Sequence, residues 1–320
     1  MSCCILYNEP GPNALPDELD IIEQVEYVEM HLHQMNISTY RKGITTNFMN
    51  ELAELKEAPP EFIFNLAESI NNKGELLYFV PAVLNMYSIP YTGNPLEAMF
   101  ITTSKWLTYR MLVQAGLNAP KAFLPSQASM LETGKKYIIK PIWEDGSMGI
   151  TADSVFIAGA DTSARLSAYR DTHWFVQEFI DGREFNISVM MGKNGPEVLP
   201  PAEMTFRNYG DDRPKIVDFK AKWEEGSFEF KNTVRKFPGK KLDTGLESKL
   251  RELALGCWHV FGLKGYARVD MRVDNNNIPY AIEVNANPCI SPNGGFAAAT
   301  HEAGYKFTDV LQWIIDDMNR

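Results

Sequence analysis

Two segments near the end of the chain constrain the fold most. Ala267 to Val273 and Tyr280 to Val284 both read as strands, and Asn275 to Asn277 can turn the chain between them. Strand alternation puts Arg268 and Asp270 on one face, and Glu283 and Asn285 on one face, so a hairpin brings all four together. Two carboxylates and an amide oxygen are the hard oxygen ligands that Mg²⁺ prefers. The same four residues could equally form a surface ladder of cross-strand charge pairs. Other parts of the chain must decide between these readings.

One such part is Lys136-Tyr137-Ile138-Ile139-Lys140-Pro141, an apolar run that reads as a strand delivering Lys140 to its end. The loop that follows, Glu144-Asp145-Gly146-Ser147-Met148-Gly149-Ile150, offers backbone N–H groups with little side-chain bulk, which suits a phosphate cradle as well as an ordinary turn. No G-x-x-x-x-G-K-[ST] string occurs, so the loop is not a P-loop. Trp174 to Ile180 reads as a further strand, ending in Asp181-Gly182.

The first hundred residues alternate strand and helix: Ile5 to Tyr7, an acidic amphipathic helix from Leu19 to Gln34, a strand from Glu61 to Leu66, and a helix from Gly74 to Tyr87. That alternation implies a small parallel sheet, left through the turn-rich Ile89-Pro90-Tyr91-Thr92-Gly93-Asn94-Pro95. A helix near Thr103 to Ala115 follows. Beyond Gly182, strands at Phe185 to Met190 and Val217 to Lys222 precede the hairpin, with helices at Thr244 to Phe261 and Phe307 to Met318. The chain thus divides into three pieces, 1–100, 101–181 and 182–320, with no internal repeat.

With 320 residues, 45% of them apolar, the chain can bury a substantial core. A net charge of −10 without a basic stripe argues against nucleic acid as a partner. No stretch reaches the roughly 20 apolar residues of a membrane span, and no leader is seen, so a cytoplasmic location is expected. Cys3, Cys4 and Cys257 sit in apolar runs and read as core residues. The five histidines, His31, His33, His173, His259 and His301, have no metal-ligand spacing. The charged stretch Arg207 to Lys215 reads as a solvated loop.

Several strings occur together and in order: Phe64-Asn65-Leu66, Ile89-Pro90-Tyr91-Thr92-Gly93, Thr103-Ser104-Lys105, Ile138-Ile139-Lys140-Pro141, Glu144 to Gly149, Gln177 to Phe185, Asp218-Phe219-Lys220-Ala221-Lys222, Arg268-Val269-Asp270, and Glu283 to Pro288. With them the chain resembles the ATP-grasp superfamily and, within it, the D-alanine–D-alanine ligase family. The resemblance implies an α/β fold of the α+β ATP-grasp kind. A small Rossmann-like pre-ATP-grasp domain with a parallel sheet would precede a central and a C-terminal grasp domain, whose mixed or antiparallel sheets enclose ATP.

It further implies a ligase that activates a carboxylate as an acyl phosphate and joins it to an amine, releasing ADP and phosphate. In such an enzyme Lys105, Lys140 and Lys222 pair with ATP phosphates, the loop around Ser147 closes over them, and Glu178, Phe179 and Ile180 meet the adenine edge. Gln177 stands where a glutamate usually accepts the adenine amino group, and its carbonyl oxygen can do the same. Glu184 would accept from the ribose hydroxyls, and Ile138, Phe179 and Ile216 would sandwich the ring. Asp270, Glu283 and Asn285 would hold two Mg²⁺ ions, with Mn²⁺ as a substitute, and Arg268 would stabilise the acyl phosphate and the tetrahedral adduct. Lys222 and Ser147 share in the catalytic work, and a homodimer is compatible with the resemblance.

The departures lie on the substrate side. The strand leads into Tyr7-Asn8-Glu9-Pro10 rather than the family's Gly-Gly and glutamate signature, which leaves Glu9 as a candidate substitute. Phe64-Asn65-Leu66-Ala67-Glu68 replaces a His-Gly and Gly-Glu-Asp-Gly string. Trp223 replaces a tyrosine and reads as a packing residue. Cys289 takes the place of an oxyanion-hole glycine, where its N–H can still serve, and Gly294 takes the place of a serine that binds the acceptor's carboxylate. The Cys289 thiol reads as a bystander, since acyl phosphate chemistry needs no side-chain nucleophile. The expectation is an intact ATP and magnesium site with a rebuilt acceptor pocket for a substrate other than D-alanine. Imine or thioester formation, a non-catalytic ATP-binding protein, and D-alanine ligation itself are the alternatives.

Overall fold

The computed structural model describes residues 2–12, 14, 16–211 and 213–318. Its first sheet is parallel, in the order β2-β1-β3, with β1 at Ser2–Asn8, β2 at Ser38–Ile44 and β3 at Phe62–Asn65. Strand alternation splits β1 between two cores. Cys3, Ile5 and Tyr7 pack with Ile21, Val25, Val28 and Leu32 of helix α1 (Pro16–Gln34). Cys4 and Leu6 face Leu52 and Leu55 of α2 (Phe48–Glu57) and Val80, Val83 and Leu84 of α3 (Phe79–Met86). Each such aliphatic side chain contributes roughly 1.5–3 kcal/mol by leaving water, which is how a three-stranded parallel sheet is sustained.

Helices α4 (Leu96–Thr103) and α5 (Lys105–Gln114) follow, with Ser104 capping α5 by accepting from the Leu107 N–H. A second, antiparallel sheet has the order β4-β7-β5-β6, built from β4 (Ala122–Phe123), β5 (Lys136–Pro141), β6 (Val155–Ile157) and β7 (Trp174–Glu178), with the short helix α6 at Thr162–Leu166.

The third sheet runs β11-β10-β8-β12-β13, and β9 also pairs with β8. Its strands are β8 (Arg183–Gly192), β9 (Gly195–Val198), β10 (Ala202–Phe206), β11 (Thr233–Lys236), β12 (Tyr266–Val273) and β13 (Pro279–Asn285). Helices α7 (Phe219–Trp223) and α8 (Phe228–Asn232) lie between β10 and β11. Helices α9 (Thr244–Val260), α10 (Gly295–Glu302) and α11 (Phe307–Asp317) complete the chain. Buried Asn94 ties the first region to the third: its amide donates to the carbonyls of Tyr266 and Ala286 and its oxygen accepts from the Lys264 N–H. No helix among the described residues is long and apolar enough to cross a membrane.

Four expectations need correction. Val217 to Lys222 is not a strand: the chain is irregular to Asp218, whose carboxylate accepts from the Ala221 N–H and starts α7. Between α1 and β3 lie a further strand and helix, β2 and α2. The segment Gly74 to Tyr87 divides into a 3₁₀ turn at Gly74–Leu76 and then α3. The Thr103 to Ala115 helix is α5 alone, set off from α4 by Ser104.

Candidate active site

The expected hairpin forms, and its register pairs Arg268 with Asn285 and Asp270 with Glu283 before a bulge between Asp270 and Met271. Neighbouring β8 places Asn186 opposite Asp270 and Glu184 opposite Arg272. Directly paired residues share a face, so this sheet presents a continuous polar surface. It is not an exposed ladder, because Asp270, Glu184 and Arg272 are all buried.

That surface forms one wall of a cavity of about 1190 Å³. Eighteen of the residues singled out in the sequence line it together: Glu9, Ile138, Lys140, Ser147, Gln177, Glu178, Phe179, Ile180, Glu184, Ile216, Lys222, Trp223, Arg268, Asp270, Glu283, Asn285, Cys289 and Gly294. Lys105 does not line it and meets the site through Asp145 and Glu283, which do.

The charges are cross-paired. Arg268 grips Asp270 through two parallel bonds, Nε to Oδ1 at 2.7 Å and Nη2 to Oδ2 at 2.8 Å. Asn186 donates to Asp270 Oδ1 at 2.8 Å. Burial works against the Arg268 charge, but Asp270 more than offsets it and raises the guanidinium pKa. Lys105 spends its ammonium on three oxygens: Glu144 O at 2.6 Å, Asp145 Oδ1 at 2.8 Å and Glu283 Oε1 at 2.8 Å. Burial would raise Glu283, yet the positive charges of Lys105 and Lys222 hold it well below the usual carboxylate range. Asp145 moves the other way, raised by burial against the pull of Lys105.

Lys140 donates to Gln177 Oε1 at 3.0 Å, and burial lowers its pKa to about 8. Lys222 is lowered in the same direction, by burial and then by Arg268. Nucleotide phosphates would favour both ammonium forms. The loop between β5 and β6 carries left-handed backbone at Gly146, Ser147 and Gly149, with φ of 65°, 66° and 72°. At Ser147, which has a Cβ, this is a strained conformation. Two bonds hold the loop to the α7 segment: Ser147 Oγ donates to Val217 O at 2.7 Å, and Trp223 Nε1 donates to Gly146 O at 3.1 Å. Trp223 is therefore more than a packing residue.

Sequence reasoning missed Arg272, Asp145, Asn186 and Arg235. Arg272 donates to Ile180 O at 2.9 Å, Glu184 Oε2 at 2.9 Å and Lys215 O at 2.8 Å, and its guanidinium lies over the Phe179 ring. Its parity with Arg268 and Asp270 was a usable signal. Through Lys215 it also anchors one end of the loop after β10, of which Asp212 lies outside the described residues.

At the other end of the cavity the contacts are of a different kind. Tyr7 donates its hydroxyl to Glu9 Oε2 at 2.6 Å. Cys289 Sγ donates to Asp20 Oδ2 of α1 at 3.0 Å, and Gln24 accepts from the Ile290 N–H at 3.0 Å. Burial first, then Asp20, pushes the Cys289 thiol far up, so it is not a thiolate nucleophile. A Cβ at Gly294 would meet Ser291 O at 2.9 Å, Cys289 O at 3.1 Å and Cys289 Sγ at 3.2 Å. The folded-down loop after β13 leaves no room there for a side chain.

A parallel sheet followed by two antiparallel sheets, with lysines and carboxylates facing one cleft, defines an ATP-grasp enzyme. The family model described as the D-Ala–D-Ala ligase C-terminus matches residues 109–316, and the chain belongs to the D-alanine–D-alanine ligase family. It is 28% identical over 286 residues to the D-alanine–D-alanine ligase of Moorella thermoacetica, covering 85% of this chain and 87% of that one. It is 26% identical over 262 residues to the uncharacterized protein y4sG of Sinorhizobium fredii, covering 81% and 74%. Among solved structures, the D-alanine–D-alanine ligase of Bacillus anthracis superposes with a TM-score of 0.74 at 19% identity over 100% of this chain and 98% of that one. The VanG D-Ala:D-Ser ligase of Enterococcus faecalis gives 0.72 at 16%, over 99% of each chain. The protein is thus an ATP-dependent ligase that forms a C–N bond.

Proposed function

We propose that the chain activates the carboxyl group of one small amino acid as an acyl phosphate and joins it to the amine of a second, using ATP and Mg²⁺. The observation that carries the reading is the one cavity lined together by Lys140, Lys222, Arg268, Asp270, Glu283 and Asn285, the last four paired across β12 and β13. The donor carboxylate attacks the γ-phosphorus, ADP leaves, the amine attacks the acyl carbon, and phosphate leaves. Lys140 and Lys222 bind the phosphates as point charges. The Ser147 loop covers them, while Lys105, its donors already taken, fixes Glu283 and that loop. Arg268, held flat by Asp270, supports the charge of the tetrahedral adduct, a role worth roughly 3 kcal/mol.

Gln177 to Ile180, Glu184, Ile138 and Ile216 take the adenine and ribose. Asp270, Glu283 and Asn285 supply hard oxygen donors, and two divalent ions there would neutralise the transferring phosphoryl group. No cluster of three or more His, Cys, Asp or Glu with metal-binding geometry occurs among the described residues, so the ions also need phosphate oxygens as ligands. The division at about 100 and 181 belongs to the same proposal.

Glu9, Trp223, Cys289 and Gly294 depart from the family together, which favours an acceptor other than D-alanine. The names of the relatives favour D-alanine as the second reading. The experiment offers ATP, Mg²⁺ and pairs of small D- and L-amino acids while phosphate and product mass are recorded. An amide mass with a preferred pair supports the reading. An imine or thioester mass, or ATP binding without ADP from any pair, rejects it.

A further inference from the structure

Gly294 itself supplies no side-chain donor at the acceptor end, and a Cβ there would collide with the carbonyls of Ser291 and Cys289. The structure offers another cation close by. Arg235 is paired with Met204 across β10 and β11, and Met204 is paired with Glu184 across β10 and β8. Arg235 therefore shares the face that carries Asp270 and Arg268, at the strand remote from β13. It lines the cavity, and its Nη2 donates to Asn293 O at 2.7 Å, which fixes the guanidinium beside the loop after β13. A guanidinium has five donors, and among the described residues this is the only hydrogen bond and no carboxylate is within ion-pair reach.

The other two arginines that line the cavity are neutralised, Arg268 by Asp270 and Arg272 by Glu184. Arg235 instead faces Arg268. Around the point where a Cβ of Gly295 would sit, Arg235 Nη1 lies at 3.6 Å and Arg268 Nη1 at 3.9 Å. Burial and then the Arg268 charge lower its pKa, so the site holds an uncompensated cation next to a compensated one. An anion between them removes that cost, and a planar carboxylate fits the fork of a guanidinium.

We infer that Arg235 is the specificity-determining residue of the acceptor pocket and binds the free carboxylate of an amino acid whose amine is only one or two carbons away. This rests on the ligase reading above, in which Arg268 marks where the new bond forms. The short separation of the two guanidiniums suits a compact amino acid, with its carboxylate on Arg235 and its amine turned toward Arg268. A long polyamine offers the fork no acceptor, and a carboxamide offers one neutral oxygen in place of two charged ones.

The test loads the protein with Mg²⁺ and a non-hydrolysable ATP analogue. D-alanine, D-serine, L-alanine and β-alanine are then titrated calorimetrically, each beside its carboxamide. At least one acid should bind about 10- to 100-fold more tightly than its amide. Arg235→Gln should remove most of that ratio and Arg235→Lys should keep part of it, with analogue affinity unchanged in both. In turnover, Arg235→Gln should raise the acceptor KM while kcat and the KM for ATP stay within a fewfold. A ratio unchanged in Arg235→Gln, or no binding of any of the four acids, overturns the inference. Failure of the ligase reading is separately visible as ATP bound with no ADP formed from any pair, because the calorimetric ratio needs no turnover.

Discussion

The two ends of the cavity differ in how their charge is satisfied. At the nucleotide end Arg272 and Lys105 bond to carboxylates of neighbouring strands or loops and Arg268 to Asp270 of its own strand, so the groups are held before any ligand arrives. At the acceptor end the contacts join loops to α1 through Cys289, Asp20 and Gln24, and one guanidinium, Arg235, has no carboxylate. A pre-paired network fixes a reaction and is hard to alter piecemeal. Loops fastened by single bonds are where a substrate can be exchanged without disturbing the chemistry.

The contrast can be broken most sharply at Arg268. Arg268→Ala should lower kcat by roughly 10²–10³-fold with little change in ATP affinity. A near-normal rate would remove the residue from the reaction. At the acceptor end, Gly294→Ser forces a Cβ into the loop after β13 and should cost about 1–3 kcal/mol. Thermal unfolding and the acceptor KM should register this, and the KM for ATP should not.

A pH series sharpens the nucleotide end. The Lys140 pKa is depressed to about 8, and bound phosphates favour its charged form, so ATP binding should be strongest below that pH. Affinity should fall as pH rises above 8, up to about tenfold per unit, with proton uptake measurable calorimetrically in buffers of different ionisation enthalpy. The smallest effect is expected at Cys289. Cys289→Ala should leave kcat within about threefold, and the thiol should resist alkylation at neutral pH, because burial and Asp20 keep it protonated.

The same contrast explains what the sequence disclosed. The hairpin of Arg268, Asp270, Glu283 and Asn285 was legible because strand alternation is regular, and Lys140 because an apolar run led to it. The polar strand β2, Ser-Thr-Tyr-Arg-Lys-Gly-Ile, lies at the edge of its sheet and gave no apolar pattern to read. Val217 to Lys222 read as a strand because apolar Val217 and Phe219 flank Asp218, whereas in the structure Asp218 caps α7. Arg235 lay beyond sequence reasoning altogether: it meets Arg268 only through the order β11-β10-β8-β12, which no local pattern encodes.

The central claim is that a carboxylate oxygen becomes bonded to the transferred phosphoryl group. With the donor amino acid labelled by ¹⁸O in both carboxyl oxygens, turnover with ATP, Mg²⁺ and an amine acceptor should place one ¹⁸O in each phosphate released. The other should remain in the amide. Phosphate carrying no ¹⁸O, with ADP formed at a normal rate, would contradict the account.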